Sequence, residues 1–182
     1  VGLSGARVGV EARRMRVLEL HYLEEAAAGA RYIPAEETFA ALRMYKDAAE
    51  AETMRRAADV GQKALIATLP LVKLGMTEQE LAGELVIQLL RQGSSPAMPF
   101  SPIVSFGPNS ANPHASPTSR KLAHGDLLLF DWGATVDDYY SDITRTFAVG
   151  EVEPEYAKSA AVVKEANEAG RAVAKPGIPC SA

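Results

Sequence analysis

Asp131 and Asp142 stand eleven residues apart in the stretch LLLFDWGATVDDYYSDITRTF. If the stretch folds as a hairpin centred on Val136-Asp137, a two-residue and a four-residue loop give the same register. Residue 133 then lies opposite 140, and Asp131 lies opposite Asp142. Like charges opposed across two strands destabilise a hairpin, and burying them unpaired costs more. A bound cation, or a pair of cations, removes both penalties. The competing reading puts the turn elsewhere and leaves one aspartate in solvent.

The residues around the pair favour the cation. Leu127, Leu129, Gly133, Tyr140, Thr144 and Thr146 share the aspartate face, a mixed lining with hydroxyl donors. Leu128, Phe130, Trp132, Ala134, Tyr139, Ile143 and Phe147 share the other, an apolar set broken by Ser141 and Arg145. That alternation predicts strands with one face on a core. Val136-Asp137 lacks the Gly or Asn of a tight primed turn, so the longer loop is favoured.

The rest of the chain must position this hairpin. Short strands are expected at 6–10 and 32–33, with a helix over 13–28 between them. This opening stretch has too few apolar residues for a core and reads as the tail of a domain. A long helix follows over 47–72, with Met54, Ala57, Ala58, Gly61, Ala64, Leu65 and Leu69 as its buried stripe. Thr77 and Glu80 form a capping-box pattern that opens a second helix ending at Gly93. Residues 94–120 are proline-punctuated loop, with a strand over 103–106. An amphipathic helix over 154–174 carries Tyr156, Ala160, Val163, Ala166 and Val173. The order predicts an α+β fold, with helices on one face of an antiparallel sheet.

Bulk properties narrow the function classes. The chain has 182 residues, 47% hydrophobic and 23% charged, within the ordinary globular range. A net charge of −4 lacks the basic stripe of a nucleic-acid binder. No apolar run is long enough to span a membrane. The single cysteine, Cys180, excludes an internal disulfide and a cysteine-built zinc site, and fits a reducing, cytoplasmic setting. A chain that opens on Val rather than Met is expected to be part of a longer product.

His114, in the loop NSANPH, is the third candidate. With it the run SFGPNSANPHASPTSRKLAHGDLLLFDWGATVDDYYSDITRTFAVG resembles the metal-dependent aminopeptidases of the pita-bread fold, family M24. The matching positions are His114, Gly125-Asp126, Asp131, Gly133, Tyr140, Ser141-Asp142 and Thr144-Arg145-Thr146. Within that family it looks most like the Xaa-Pro peptidases, prolidase and aminopeptidase P. The resemblance implies that residues 47–182 are the first half of a pita-bread catalytic domain. Residues 1–46 would be the remnant of a preceding domain and its linker.

The resemblance also implies roles. Asp131 would chelate one divalent metal and Asp142 would bridge two, the ions being Mn²⁺, Co²⁺ or Zn²⁺. Water activated by them would attack the scissile carbonyl. His114 would donate a hydrogen bond to the oxyanion or the substrate backbone. Thr144 and Arg145 would orient the aspartates; for Arg145 a strand-face ion pair is the alternative. Phe100, and with it Phe106, are candidates for lining the substrate pocket, against core packing. The substrate would be a peptide with proline at the second position.

The family's site adds a histidine and two glutamates, which nothing here matches. His21 and His124 read as surface residues. The chain is therefore expected to be a fragment of a longer enzyme that binds no metal tightly and shows no peptidase activity alone. An exposed sheet edge and apolar surface suggest a homodimer. A non-catalytic peptide-binding module and a metal-free creatinase-like hydrolase are the alternatives, but both leave the paired acids unexplained. Dipeptidase and aminopeptidase P are not separated at this level.

Overall fold

The inward face anticipated for LLLFDW is the floor of the core in a computed structural model that describes residues 2–179. Cys180 lies outside the described residues. The chain divides into two units, Val1–Ala51 and Glu52–Ala182.

In the first unit β1 (Arg7–Val10) pairs in parallel with β2 (Arg31–Pro34), with α1 (Val17–Ala26) between them. A second helix, α2 (Glu36–Met44), was not anticipated. Its apolar side chains include the exposed Leu42 and Met44, so it lacks a buried stripe to read. Glu36 and Glu37 in its first turn and Arg43 in its last instead suit the helix dipole. Val10 is the one buried residue among those described in this unit, in keeping with the expected scarcity of core positions.

The helix α3 (Ala48–Thr68), most of it in the second unit, closes with a 3-10 turn at Leu69–Leu71, where Pro70 interrupts the helix. The helix α4 (Glu78–Arg91) opens on the expected capping box: the Thr77 hydroxyl accepts from the Glu80 N–H at 3.1 Å, and Glu80 Oε2 accepts from the Thr77 N–H at 2.8 Å. Then come β3 (Ile103–Phe106), β4 (Leu127–Trp132), β5 (Thr135–Val136), β6 (Tyr139–Tyr140) and β7 (Ile143–Ala148), followed by α5 (Pro154–Val173). β3, β4 and β7 form one antiparallel sheet in that order, with β3 and β7 at its edges.

Both helices pack on the same face of that sheet. Ala64 and Leu65 of α3 and Leu81, Leu85 and Leu89 of α4 meet Val104, Phe106, Leu128, Phe130 and Trp132. Each fully buried large apolar side chain contributes about 1.5–3 kcal/mol. Phe130 stands edge-on to Trp132 at 6.4 Å and to Phe147 at 6.1 Å, geometries that aromatic quadrupoles favour. By contrast α5 is exposed along its whole described length, apolar Val162, Val163 and Val173 included.

The hairpin register differs from the expectation. Asp131 lies opposite Thr144, not Asp142, and Thr135 lies opposite Tyr140. The turn is two residues long, not four, and falls on Asp137-Asp138, with φ of 47° and 64°. Aspartate tolerates this left-handed region, whereas the β-branched Val136 does not, so the turn moves one residue along the chain. The pairing thereby shifts by two positions. An even shift leaves every side chain on its face, and β4 is buried at Leu128, Phe130 and Trp132 as its alternation requires.

Candidate active site

Between its two ladders the hairpin is pinched. The Ser141 N–H donates to the Ala134 carbonyl at 2.9 Å, and the Ala134 N–H donates to the Ser141 hydroxyl at 2.9 Å. Gly133 sits inside this crossing: a Cβ there would stand 2.0 Å from the Ser141 carbonyl oxygen and 2.6 Å from Pro99 Cγ. Only glycine fits so close an approach.

Surrounding elements hold the pinch. Trp132 Nε1 donates to the Gly61 carbonyl of α3 at 2.9 Å. The Thr135 N–H donates to the Ser94 hydroxyl at 3.0 Å, and the Thr135 hydroxyl to the Ala97 carbonyl at 2.7 Å. At the tip Arg56 pairs with Asp137 at 2.7 Å, an exposed contact that adds little stability.

Ile103, Asp131 and Thr144 form a row across the three-stranded sheet. This row, with Leu129 and the loop residues 110–113, lines a cleft of about 430 Å³. Among the described residues, the buried side-chain polar atoms without a partner are Asp131 Oδ1 and Ser105 Oγ, on the same sheet face. Burial pushes the Asp131 carboxyl above its ordinary range; a hydrogen bond from Thr144 opposes the rise, and the charge of nearby Asp142 adds to it. The shifted register makes the two acids diagonal rather than opposed neighbours, still within electrostatic reach.

The remaining candidates distribute as follows. Asn112 and Pro113 line the cleft, and His114 follows them at an exposed position, its N–H donating to Asn112 Oδ1 at 3.0 Å. Arg145 lies on the opposite face of β7 from Thr144 and donates to the Thr144 carbonyl at 2.7 Å. Any influence it has on Asp131 therefore runs through Thr144. Phe100 lines a separate depression with Val86, Leu90, Pro96 and Met98. Phe106 is fully buried in the core. His21 and His124 are exposed, and His21 Nδ1 lies 3.3 Å from Glu24.

Two features escaped the reading of the sequence. One is the Gly133–Ser141 crossing. The other is Glu78, a fully buried carboxylate at the first position of α4. Its Oε1 accepts from the Phe106 N–H at 2.7 Å. Its Oε2 accepts from Asn109 Nδ2 at 2.9 Å and from the Thr118 N–H and hydroxyl at 2.8 and 2.6 Å. Burial alone would raise this carboxyl, but the four donors outweigh it and hold it below the usual range. Next to Thr77 and Glu80 it looks like one more acidic residue in a first turn.

The comparisons with known proteins follow the same lines. The profile of metallopeptidase family M24 matches residues 52–182. A putative dipeptidase, YkvY, of Bacillus subtilis is 32% identical over 171 residues, which are 94% of this chain and 47% of that protein. The crystal structure of an X-Pro aminopeptidase from Thermotoga maritima superposes with a TM-score of 0.80 at 29% identity, over 89% of this chain and 46% of that one. The prolidase from Pyrococcus horikoshii gives 0.86 at 27%, over 97% and 50%. The chain thus spans about half the length of these relatives, and its sheet and helices are those of the pita-bread fold. By the match over 52–182 and the likeness to YkvY, the chain belongs to metallopeptidase family M24.

Proposed function

We propose that this chain supplies part of the active site of a Xaa-Pro peptidase, with Asp131 and Asp142 as carboxylate ligands of divalent metal. The observation that carries the reading is the buried, unpartnered Oδ1 of Asp131, a residue that lines the cleft, with a second carboxylate close enough to raise its pKa. Oxygen donors of this kind suit Mn²⁺ or Co²⁺, and also Zn²⁺. When bound, the metal supplies Lewis-acid polarisation of a peptide carbonyl and a water of lowered pKa.

The other residues orient and stabilise. The Thr144 hydroxyl donates to the Asp131 carboxylate and fixes its rotamer, leaving Oδ1 free to ligate. Arg145 ties down the Thr144 backbone. His114, beside the cleft-lining Pro113, donates a hydrogen bond to the developing oxyanion or the substrate backbone. Proline is selected because its tertiary amide has no N–H, so a site can be shaped for the ring.

The full product of the gene, loaded with Mn²⁺, is expected to cleave Xaa-Pro substrates in preference to Ala-Ala. Equal rates on both would overturn the reading. Among the described residues no three His, Cys, Asp or Glu side chains cluster as a metal site. With Asp131 and Asp142 matching the family's ligands and no match for its histidine and two glutamates, the 182-residue chain on its own is expected to bind Mn²⁺ or Co²⁺ weakly and to be inactive. Calorimetric titration checks this, and sub-micromolar stoichiometric binding would refute it.

We further infer that the chain self-associates through the free edge of β7 and the exposed apolar residues of α5. Sedimentation velocity should then give a dimer. A strict monomer at high concentration would remove the inference.

A further inference from the structure

We propose that Glu78 positions His114 for the hydrolysis inferred above, its buried carboxylate clamping both feet of the loop that borders the Asp131 cleft. The inference rests on the reading of His114 as the oxyanion donor.

The loop leaves β3 at Phe106, makes a 3-10 turn over Gly107–Ala111, passes the cleft at 112–113 and returns at Thr118. The returning foot is held by backbone bonds, with the Glu78 N–H to the Arg120 carbonyl at 3.1 Å and the Gln79 N–H to the Thr118 carbonyl at 3.2 Å. The departing foot reaches α4 through the Glu78 side chain, which takes the Phe106 N–H and Asn109 Nδ2. One carboxylate thus spans partners 28, 31 and 40 residues away in sequence. Between the feet, the Ser110 hydroxyl donates to the Gly107 carbonyl at 2.6 Å and the Ala115 N–H to the Asn112 carbonyl at 3.1 Å. These bonds shape the loop locally but do not fix it to the body of the unit.

An apolar residue of similar size would avoid burying a carboxylate but would leave the donors to Glu78, two of them backbone N–H groups, without a partner. What an apolar residue cannot do is hold four donors from two strands of chain in one geometry. Glu78 is therefore suited to setting where the segment 112–114 stands relative to Asp131, rather than to filling the core.

The test compares the 182-residue chain with Glu78→Gln, whose single accepting oxygen must abandon either Phe106 or the Asn109–Thr118 group. Amide exchange at His114 and Ala115 should accelerate at least about tenfold, and order parameters over 109–115 should fall from about 0.85 to below about 0.6. The β4 amides of Leu128 and Phe130 should stay within about twofold. An unchanged loop, or β4 loosening in step with it, would overturn the proposal, the latter because it marks general destabilisation. If Glu78→Gln does not fold, Asn109→Ala and Thr118→Val remove one donor each and should loosen the same amides; rigidity in both would overturn it equally.

In the full gene product, Glu78→Gln should lower kcat at least about tenfold with KM nearly unchanged, and add nothing to the loss caused by His114→Ala. Additive losses would overturn the positioning role. A failure of the peptidase reading is distinguishable, because it appears as absent hydrolysis in the unmodified protein.

Discussion

Gly133→Ala is expected to destabilise the chain by about 3 kcal/mol or more, lowering its melting temperature by about 10 °C. The added carbon would lie 2.0 Å from the Ser141 carbonyl and 2.6 Å from Pro99, against backbone on one side and a proline ring on the other. Neither neighbour is the free end of a flexible side chain, so the strands must separate. Separation breaks the Ala134–Ser141 bonds and moves Asp142, the residue after Ser141. The control is Gly83→Ala in α4, where an added Cβ meets nothing within 4 Å. The same substitution there should stabilise by roughly 0.5–1 kcal/mol through helix propensity. Thermal denaturation followed by circular dichroism reads both, and equal effects at the two positions would defeat the steric argument.

Asp131→Asn should act in opposite directions on activity and on stability. In the full gene product, where Asp131 is proposed to hold metal, it should lower turnover by a factor on the order of 10³. In the metal-free chain it should stabilise near pH 7, because a half-buried carboxyl no longer has to ionise. The sign follows from burial, which lifts the folded-state pKa above the ordinary 3.8 despite the Thr144 hydrogen bond. A group raised in this way costs stability as pH climbs from its unfolded value through its folded one. The advantage of asparagine should accordingly grow across that interval and vanish below it. Urea denaturation at pH 3 and pH 7 measures the difference; a variant less stable at pH 7 would contradict it.

The faces of the hairpin were readable before its register was. Leu128, Phe130 and Trp132 alternate with Leu127, Leu129 and Asp131, and a two-position shift in pairing cannot change which of them point inward. Asp-Asp is itself a turn signal, because both residues accept positive φ, and it places the turn one residue beyond Val-Asp. The helix α2 is harder to read for a different reason: none of its residues is buried, so no core stripe marks it. Glu78 was beyond reach of any local pattern, since its donors come from 28 to 40 residues downstream. His114 was singled out by its match to a family motif; spacing alone would have left it an ordinary loop histidine. The capping box at Thr77, by contrast, is complete within four residues and was legible in full.

The hairpin and the His114 loop also differ in how much chain each must close. The ladder carrying Asp131 and Thr144 starts from a two-residue turn, and each new pair adds only a short step to a closure already made. The Glu78 clamp must instead draw together positions separated by up to 40 residues in a single event. Closure entropy grows by only about 0.6 kcal/mol per doubling of loop length, yet it falls due before any of the four hydrogen bonds can form. The carboxylate half of the cleft is therefore the part that the chain can assemble locally. The loop side, over 110–113, waits on closures of up to 40 residues.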